Sequence, residues 1–309
     1  MKTTTIIVTE DDPQNLRVDK FLSDIKALLP RNQLKNRLLS LKINGKEAKF
    51  SRKVSSGDSI VIELAAPPEL KVLAEPMDLD IIYEDENVIV INKPQGLTVH
   101  PGAGICQGTL LNGLLYHVKE LSQEFTDDAI RPGIVHRLDK DTSGVIIAAK
   151  NMNALEFLSN QFRKRFAKKT YYAICKGIPQ NHEGEIDLRL IRDPNQRKRY
   201  TWTFAETKGK SSKTVFRVLK QIGDYSLLAL SPRTGRTHQL RVHMKYQHTP
   251  IVGDSIYSRQ DKIDPHATLK LHALRLLIKL PGKTGLQKFE APLPQSFLDY
   301  LEKIESLYS

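Results

Sequence analysis

The chain has 309 residues, of which 40% are hydrophobic, and this size and composition predict a globular protein of about two domains. Its 47 Lys and Arg residues outnumber 35 Asp and Glu, for a formal net charge of +12. An excess of this size favours a polyanionic partner over an acidic small molecule, although charge alone does not distinguish RNA from DNA or anionic lipid.

Cysteine usage and the absence of long apolar runs indicate the compartment. Cys106 and Cys175 form neither a CxxC motif nor a disulfide framework. The first twelve residues have too short an apolar run and too many acids for a signal peptide, and no stretch approaches the length of a membrane-spanning helix. We therefore expect a cytoplasmic protein that does not associate with a membrane.

The N-terminal region combines a helical pattern with a hairpin signal. Apolar residues recur at helical spacing from Leu16 to Leu29, and Pro30 ends the pattern. A second short helix is predicted over Gln33 to Leu41. The Asn44-Gly45 pair that follows is a strong β-hairpin signal, so we predict a small helix-helix-hairpin domain.

The same region is strongly basic. Between Arg31 and Lys53 the chain has one acid, Glu47, against the following cations: Arg31, Lys35, Arg37, Lys42, Lys46, Lys49, Arg52 and Lys53. A solvated helix face is one explanation, but clustered cations with almost no acidic partner favour contact with phosphate. We predict that residues 1–66 form an RNA-binding module. The residues expected to contact RNA there are Arg31, Lys35, Arg37 and Lys46.

A linker is predicted over residues 67–80, because this stretch contains three prolines and has no apolar periodicity. A second domain is predicted over residues 81–309. Early in it, Thr109 is placed to cap a helix with a buried leucine stripe. Near its end, Ser296 to Leu307 has the pattern of an amphipathic helix.

A polar loop lies between two β-branched runs, Ile134-Val135 and Val145 to Ile147, and this pattern predicts two strands. The loop contains His136, Arg137, Asp139, Lys140 and Asp141. Thr142 and Ser143 can hydrogen-bond a turning backbone, and Gly144 can take a positive φ, so the loop is expected to be rigid. A rigid loop suits a catalytic group, whereas the alternative is a surface turn whose charges face water.

Two further segments carry candidate functional residues. Asn151 is predicted to cap a helix, and five cations collect at its far end, in part because cations suit a helix C-terminus. These cations are Arg163, Lys164, Arg165, Lys168 and Lys169. Tyr171 and Tyr172 open the next strand, where alternation places them on opposite faces without deciding which one points inward. The stretch 189–213 interleaves cations with aromatic residues, which suits RNA backbone and bases or an exposed β-ribbon.

The segment TGRTHQLRVHM, from Thr234, is a second concentration of charge. Its cationic and imidazole side chains, with that of Arg233 just before it, could bind phosphate or carboxylate. These residues are Arg233, Arg236, His238, Arg241 and His243. A metal site is not predicted, because His238 and His243 are five residues apart without a third ligand type, and the chain has no HExxH motif.

Four segments together resemble one enzyme family. HRLDKDTSG, from His136, is similar to the signature loop of the RluA-type pseudouridine synthases. INKPQGLTVHPGAG, KKTYYAI and TGRTHQLRVHM also occur in the family's order. The sequence looks most like the family's large-subunit ribosomal RNA enzymes. The N-terminal motifs resemble the RNA-binding module of small-subunit ribosomal protein four.

The resemblance implies an α+β fold. Its catalytic domain would be a mixed, largely antiparallel sheet flanked by helices, preceded by the small helix-helix-hairpin RNA-binding domain. It also implies a reaction, the isomerisation of uridine to pseudouridine in RNA, with large-subunit ribosomal RNA as the expected substrate. No cofactor and no metal are expected, and we expect the enzyme to be a monomer.

By resemblance, the site residues take the following roles. Asp139 is the nucleophile, and Arg241 is its basic partner, which favours the ionised carboxylate. Tyr171 stacks on the uracil or helps to move the proton from carbon 5. Arg137 fills the space left by a flipped uridine, unless it only pairs with Asp139. His136, Arg236 and His238 are expected to contact RNA.

Two other classes of function are alternatives to an isomerase. One is a non-catalytic RNA-binding protein, which would not need the combination of Asp139, Tyr171 and Arg241. The other is a glycosidic-bond hydrolase with Asp141 as the second acid. Only one residue separates the two acids, so they are not expected to flank one glycosidic bond.

Overall fold

The structure is a computed structural model that describes residues 2–29, 31–65, 72–102, 105, 107–118, 132–196 and 198–309. Pro30, Cys106 and the first part of the predicted linker lie outside the described residues. The chain divides into two compact units, Met1–Leu70 and Lys71–Ser309.

The first unit contains a four-stranded antiparallel sheet. Its strands are β1 (Lys2–Ile7), β2 (Leu38–Ile43), β3 (Lys46–Glu47) and β4 (Ser59–Leu64), in the spatial order β1-β4-β2-β3. Its helical segments are α1 (Val18–Lys20), a π-helical turn (Phe21–Ile25) and α2 (Arg31–Arg37). The helical segments bury Phe21, Leu22 and Leu34 against apolar side chains of β2 and β4. This packing gives the unit its own hydrophobic core.

Three features of the first unit differ from the sequence prediction. The strand β1 was not predicted. The first helix ends at Ile25, and Ala27 takes a left-handed φ of 48°, which no regular helix accommodates. The second helix ends at Arg37 because the leucine-rich residues that follow it pair with β4 instead. Strand pairing therefore overrides the local helical pattern.

The second unit is built on a ten-stranded sheet. Its strands in chain order are β5 (Ile81–Glu84), β6 (Val88–Lys93), β7 (Ser143–Ala149), β8 (Lys168–Lys176), β9 (Glu183–Arg192), β10 (Tyr200–Thr203), β11 (Lys210–Ile222), β12 (Tyr225–Pro232), β13 (Leu271–Ile278) and β14 (Gln287–Glu290). The spatial order is β10-β9-β11-β12-β8-β13-β7-β6-β5, with β14 on β13. The β7–β13 pair is parallel, and the other pairs of neighbouring strands in this sheet are antiparallel. The expected mixed, largely antiparallel α+β architecture is therefore confirmed.

Helices cover both faces of this sheet. Among the described residues of this unit, the helices are α3 (Leu110–His117), α4 (Met152–Arg163), α5 (Gln239–Tyr246) and α6 (Gln295–Tyr308). The α3 and α5 helices bury their leucine and valine side chains in the largest core cluster, together with Ile89 and Ala173. The α4 and α6 helices pack in two other core clusters, with Ile147 and Ile174 respectively. Successive residues of one strand thus point to opposite faces of the sheet.

Local signals correctly located several helix ends. Thr109 caps α3 in a capping box with Asn112, whose side-chain oxygen lies 2.9 Å from the Thr109 backbone nitrogen. The side chain of Asn151 accepts a 2.9 Å hydrogen bond from the backbone N–H of Ala154 at the start of α4. The predicted C-terminal helix is present as α6. Each of these signals acts within four residues, so the sequence alone is informative.

The predicted first strand of the polar loop turns out differently. In the predicted linker, described residues contact α3, because Asn112 donates to the carbonyl of Leu73 at 2.8 Å and accepts through its own carbonyl from the N–H of Glu75. Val72 and Leu79 also pack against the main core. Before the polar loop, Ile134 forms only an isolated bridge with Ala148 and not a strand. Within the described residues, no helix is long and apolar enough to cross a membrane.

Candidate active site

The sheet order brings the polar loop beside Tyr171. In β13, Ala273 is paired with Tyr171 of β8 on one side and with Gly144 of β7 on the other. Gly144 has a φ of 111°, and a Cβ at this position would overlap the carbonyl oxygen of Ala273. Only glycine fits this close approach, which explains the residue that ends the HRLDKDTSG motif.

A buried lysine, Lys93, is hydrogen-bonded to the backbone of the polar loop. The ammonium of Lys93, at the end of β6, is fully buried and donates to three carbonyl oxygens. These belong to Pro94 at 2.8 Å, Leu97 at 2.9 Å and Lys140 at 3.0 Å. Burial lowers the pKa of Lys93 to about 8, although Asp141 and Asp139 oppose this shift. Because Lys140 follows Asp139 directly, this contact positions the candidate nucleophile.

Asp139 lies in a cleft of about 110 Å³, and its side chain is 20% exposed. Two groups approach its carboxylate. The Nη1 atom of Arg241 lies 3.7 Å from Oδ2, and the Nε2 atom of His238 lies 4.0 Å from the same oxygen. The carboxylate therefore faces the cleft on one side and a cationic or hydrogen-bonding group on the other.

Asp254 holds Arg241 more tightly than Asp139 does. The Nε and Nη2 atoms of Arg241 each donate to a different carboxylate oxygen of Asp254 at 2.7 Å. The Asp254 side chain is 0% exposed and also accepts the backbone N–H groups of Ile256 and Tyr257. Arg241, only 5% exposed, is thus fixed by a bidentate pair and directs its remaining nitrogen towards Asp139.

Hydrogen bonding holds the ring of His238 in place. The phenol oxygen of Tyr257 accepts the Tyr200 backbone N–H at 2.8 Å and lies 2.8 Å from Nδ1 of His238. Burial raises the pKa of Tyr257 to about 12, so the phenol is neutral. Burial also lowers the pKa of His238, which favours the neutral ring. The contact with Tyr257 leaves Nε2 of the ring facing Asp139.

Tyr171 is the inward tyrosine. It is 8% exposed, belongs to the main core and lines the cleft beside Asp139, whereas Tyr172 packs on the other face of the sheet. Burial, and secondly the charge of Asp139, raises the pKa of the Tyr171 phenol. The ring therefore enters the site as a neutral phenol.

The other residues expected to contact RNA in this unit occupy different environments. Arg137 is exposed at the cleft, and its Nη1 atom lies 3.4 Å from Nε2 of His100. Arg236 is exposed at the cleft rim, with its Nε donating to the Ser211 carbonyl. The ring of His136 stacks on Phe162 and accepts the Ile147 N–H at 3.0 Å. These contacts favour a role for His136 in holding the loop.

The candidate RNA contacts of the first unit lie on its surface. Lys35 and Lys46 are exposed, while the Arg37 Nε donates to the Ala65 carbonyl at 3.0 Å. Arg31 is 42% exposed and contacts the buried carboxylate of Asp19 at 2.6 Å. In this unit the two lysines are exposed, whereas the two arginines also bond to other groups of the unit.

Sequence reasoning missed the residues that support the site. Lys93, Asp254 and Tyr257 received no role, and α5 was not predicted as a helix. The α5 helix is preceded by His238 at a φ of 56°, a left-handed conformation that polar residues adopt at modest cost. No local pattern connects Asp254 to Arg241. Over the described ranges, no cluster of three or more His, Cys, Asp or Glu side chains could hold a metal ion.

Comparisons with known proteins agree on one family. The family model described as RNA pseudouridylate synthase matches residues 87–246. A ribosomal large subunit pseudouridine synthase D from Borreliella burgdorferi is 44% identical over 93% of this chain and 89% of its own length. The Bacillus subtilis protein YlyB, named as an uncharacterized RNA pseudouridine synthase, is 39% identical over 96% of this chain and 97% of its own length.

A solved structure supports the same assignment. Human RNA pseudouridylate synthase domain containing 4 is similar with a TM-score of 0.58 at 27% identity, and the match covers 72% of this chain and 92% of that chain. The matched family segment includes Asp139, Tyr171 and Arg241. This chain therefore belongs to the RNA pseudouridylate synthase family, whose members are isomerases that act on RNA.

Proposed function

We propose that this enzyme isomerises uridine in large-subunit ribosomal RNA, with Asp139 as the nucleophile and without a cofactor. The environment of the Asp139 carboxylate supports the proposal. The carboxylate opens into a cleft, with the Arg241 guanidinium 3.7 Å away and the neutral Tyr171 phenol in the same wall. A positioned, ionised carboxylate is a competent nucleophile.

The reaction conserves atoms within the nucleotide. The bond between ribose and nitrogen 1 of uracil breaks, the base turns, and the ribose is rejoined at carbon 5. The carbon 5 proton is lost and nitrogen 1 gains a proton. In this scheme Asp139 adds to the ribose or to the ring, and Arg241 stabilises its charged form. Tyr171 stacks on the base, and its phenol is placed to help move the proton.

The hydrolase alternative is weakened by the position of Asp141. This exposed side chain lines a different cavity, together with Gln95 and Thr268, and does not line the Asp139 cleft. A hydrolytic pair of carboxylates must flank the same glycosidic bond. Asp139 is the one acidic residue among the described residues that line the cleft. This arrangement favours a single nucleophile.

The substrate part of the proposal comes from the relatives. The Borreliella burgdorferi relative, and another from Neisseria meningitidis at 39% identity, are both named ribosomal large subunit pseudouridine synthase D. We infer the same substrate class for this chain. Pseudouridine mapping of ribosomal and transfer RNA from cells with and without the gene tests it. Loss of pseudouridine only from transfer RNA would contradict the ribosomal assignment.

We also infer that the enzyme is a cytoplasmic monomer and that residues 67–80 link its two domains. The first of these domains, residues 1–66, is proposed to bind the RNA substrate through its basic surface. The support for this RNA binding is the exposure of Lys35 and Lys46 in the segment from Arg31 to Lys53, whose sequence has eight cations and one acid. The roles of Arg137, Arg236 and His238 in holding the target nucleotide are part of the same proposal. All three line the Asp139 cleft.

The nucleophile is tested with a pair of substitutions. Asp139→Asn keeps shape and hydrogen bonding but removes the charge, so single-turnover pseudouridine formation should fall below detection. RNA affinity should stay within about threefold, since one cleft carboxylate contributes little to backbone binding. The matched control is Asp141→Asn, two residues along the same loop, which should retain activity. Measurable isomerisation by Asp139→Asn, or equal loss in both variants, would overturn the assignment.

A further inference from the structure

Lys169 is a cation of the cleft that the proposed mechanism does not use. It lies on β8 two residues before Tyr171, so both side chains point to the same face of the strand, and both line the cleft. Its ammonium lies over the turn before α5, because a Cβ on Gly235 would be 3.7 Å from Lys169 Nζ. The neighbouring Lys168 is exposed and lies on the opposite face.

The environment of the Lys169 ammonium differs from that of two buried lysines. Among the described residues, burial lowers the pKa of three lysines, the buried Lys93 and Lys270 and the half-buried Lys169. Lys93 donates to three carbonyls, and Lys270 donates to the Ser296 carbonyl at 3.0 Å. The backbone of Lys169 is paired in the sheet, but its ammonium makes no ion pair or hydrogen bond with a described residue. A partly desolvated ammonium without a partner is costly unless something else compensates its charge.

The anion that would compensate this charge is not supplied by the cleft itself. Asp139 is its one acid among the described lining residues, and Arg241 and His238 already face that carboxylate. The missing partner is therefore expected to arrive with the substrate. In RNA, the anionic group is the phosphodiester.

We propose that Lys169 binds one of the two phosphodiesters that adjoin the target uridine. This inference rests on the proposed function. When the uridine is flipped into the cleft, its flanking phosphates follow to the rim, where the ammonium stands over Gly235. The contact places the nucleotide backbone while Asp139 and Tyr171 act on the ribose and base. Lys169 is thus a substrate-binding residue, distinct from the pair that holds the nucleophile.

The test combines protein variants with neutralised linkages. RNAs carry a methylphosphonate either 5′ or 3′ of the target, and single-turnover kcat/KM is measured for each. On unmodified RNA, Lys169→Met should lose about ten- to a hundredfold, as expected for a charged hydrogen bond. With one of the two methylphosphonate RNAs, wild type and Lys169→Met should differ by less than about threefold, because the partner is already gone. The matched control Lys168→Met should stay within about threefold of wild type on every RNA.

Other outcomes separate the possible failures. If Lys169→Met loses the same factor on all three RNAs, Lys169 acts on the base or on the fold, and the phosphate assignment is overturned. Should Lys169→Met not fold, Gly235→Ala adds a methyl group beside the ammonium at an unstrained φ. This variant should slow unmodified RNA and spare the RNA with the contacted linkage neutralised, and equal slowing would overturn the assignment. A wild-type enzyme that makes no pseudouridine in unmodified RNA would instead refute the proposed function.

Discussion

Each unit of the molecule contains a fully buried aspartate that is bonded to arginine, and the two pairs serve different ends. In the first unit, the Asp19 side chain is 0% exposed and contacts Arg17 and Arg31, which remain 44% and 42% exposed. In the second unit, Asp254 is equally buried, but its partner Arg241 is only 5% exposed. The two pairs therefore differ in the exposure of the arginine and not in that of the aspartate.

An exposed arginine can hold a carboxylate with one edge and still present a face to RNA phosphate. Arg17 and Arg31 are of this kind, so Asp19 organises a surface. A buried arginine has less freedom, and the remaining nitrogen of Arg241 faces Asp139 at 3.7 Å. Under the proposed function, the same ion-pair chemistry serves an RNA-binding surface in one unit and a reaction site in the other.

The largest expected effect is that of Asp254→Asn. An amide cannot accept both Arg241 donors as the carboxylate does, so the guanidinium is released from its fixed position. We expect kcat to fall about a hundredfold, the loss typical of misplacement near the reacting atoms. Removing one partner of a buried pair also costs about 3–5 kcal/mol of stability. Single-turnover rates and thermal unfolding measure the two effects.

The control for this prediction comes from the other unit. Asp19→Asn loosens arginines that remain solvated, so kcat at saturating RNA should stay within about twofold of wild type. A normal kcat for folded Asp254→Asn would show that the buried pair does not position Arg241 for the reaction.

The second prediction concerns Arg137, the exposed arginine of the cleft. Within the described residues, the ion-pairing side chains that reach within 4.0 Å of the Asp139 carboxylate are Arg241 and His238 and not Arg137, so the alternative role as a local salt-bridge partner loses support. If Arg137 fills the space of the flipped uridine, Arg137→Ala should lose about tenfold or more on a stacked target. It should lose less than about threefold on a short unstructured RNA, because unstacking costs a few kcal/mol.

Single-turnover rates on the two RNAs measure this difference. The outcome that counts against the wedge role is an equal loss on both substrates. Arg137 would then act on the chemistry, as the buried Arg241 does, in spite of its exposure.

A smaller effect is expected from the surface of the first unit. Lys35 and Lys46 are exposed and form no ion pair with a described residue, so a double Ala variant should leave the fold and kcat unchanged. Each lost phosphate contact lowers the slope of log affinity against log salt by about 0.7 to 0.9. The double variant should therefore flatten this slope by about 1.5. Binding titrations over a salt series provide the measurement.

Lys303, exposed on α6, supplies the matched control, and Lys303→Ala should leave the slope unchanged. An unchanged slope in the Lys35 and Lys46 double variant would mean that the basic surface contacts solvent and not RNA phosphate.

The smallest effect is the pH dependence that Asp19 gives to stability. Burial would raise the pKa of Asp19, but hydrogen bonds from Arg17 and Arg31 prevail and lower it to about 2 from 3.8. Between these values the unfolded chain binds more protons than the folded one, so stability falls as pH falls. The stabilisation is complete above pH 3.8 and is lost as pH approaches 2.

Urea unfolding of wild type and Asp19→Asn over this pH range tests the prediction. The difference between the two proteins should shrink as pH falls from about 4 to about 2. A difference that does not depend on pH would mean that the arginines do not hold the carboxylate ionised.

The sequence by itself determined the features that depend on neighbouring residues. Thr109 and Asn151 were recognised as helix caps, since a cap bonds backbone two or three residues away. The polar loop and its chemistry were evident because Asp139 and its companions are contiguous. The mixed antiparallel sheet followed from the family resemblance together with the alternation of strands and helices. Even so, the helix predicted beyond Arg37 was wrong, because pairing with β4 decided the conformation.

Only the tertiary structure decided how those parts meet. Alternation allowed either tyrosine of β8 to face inward, and the choice of Tyr171 follows from the position of Ala273 between β8 and β7. The supports of the site are Lys93, bonded to a carbonyl 47 residues away, and Asp254, which holds Arg241 across 13 residues. Such contacts leave no periodic signal, because strand order and burial, not local spacing, bring these groups together.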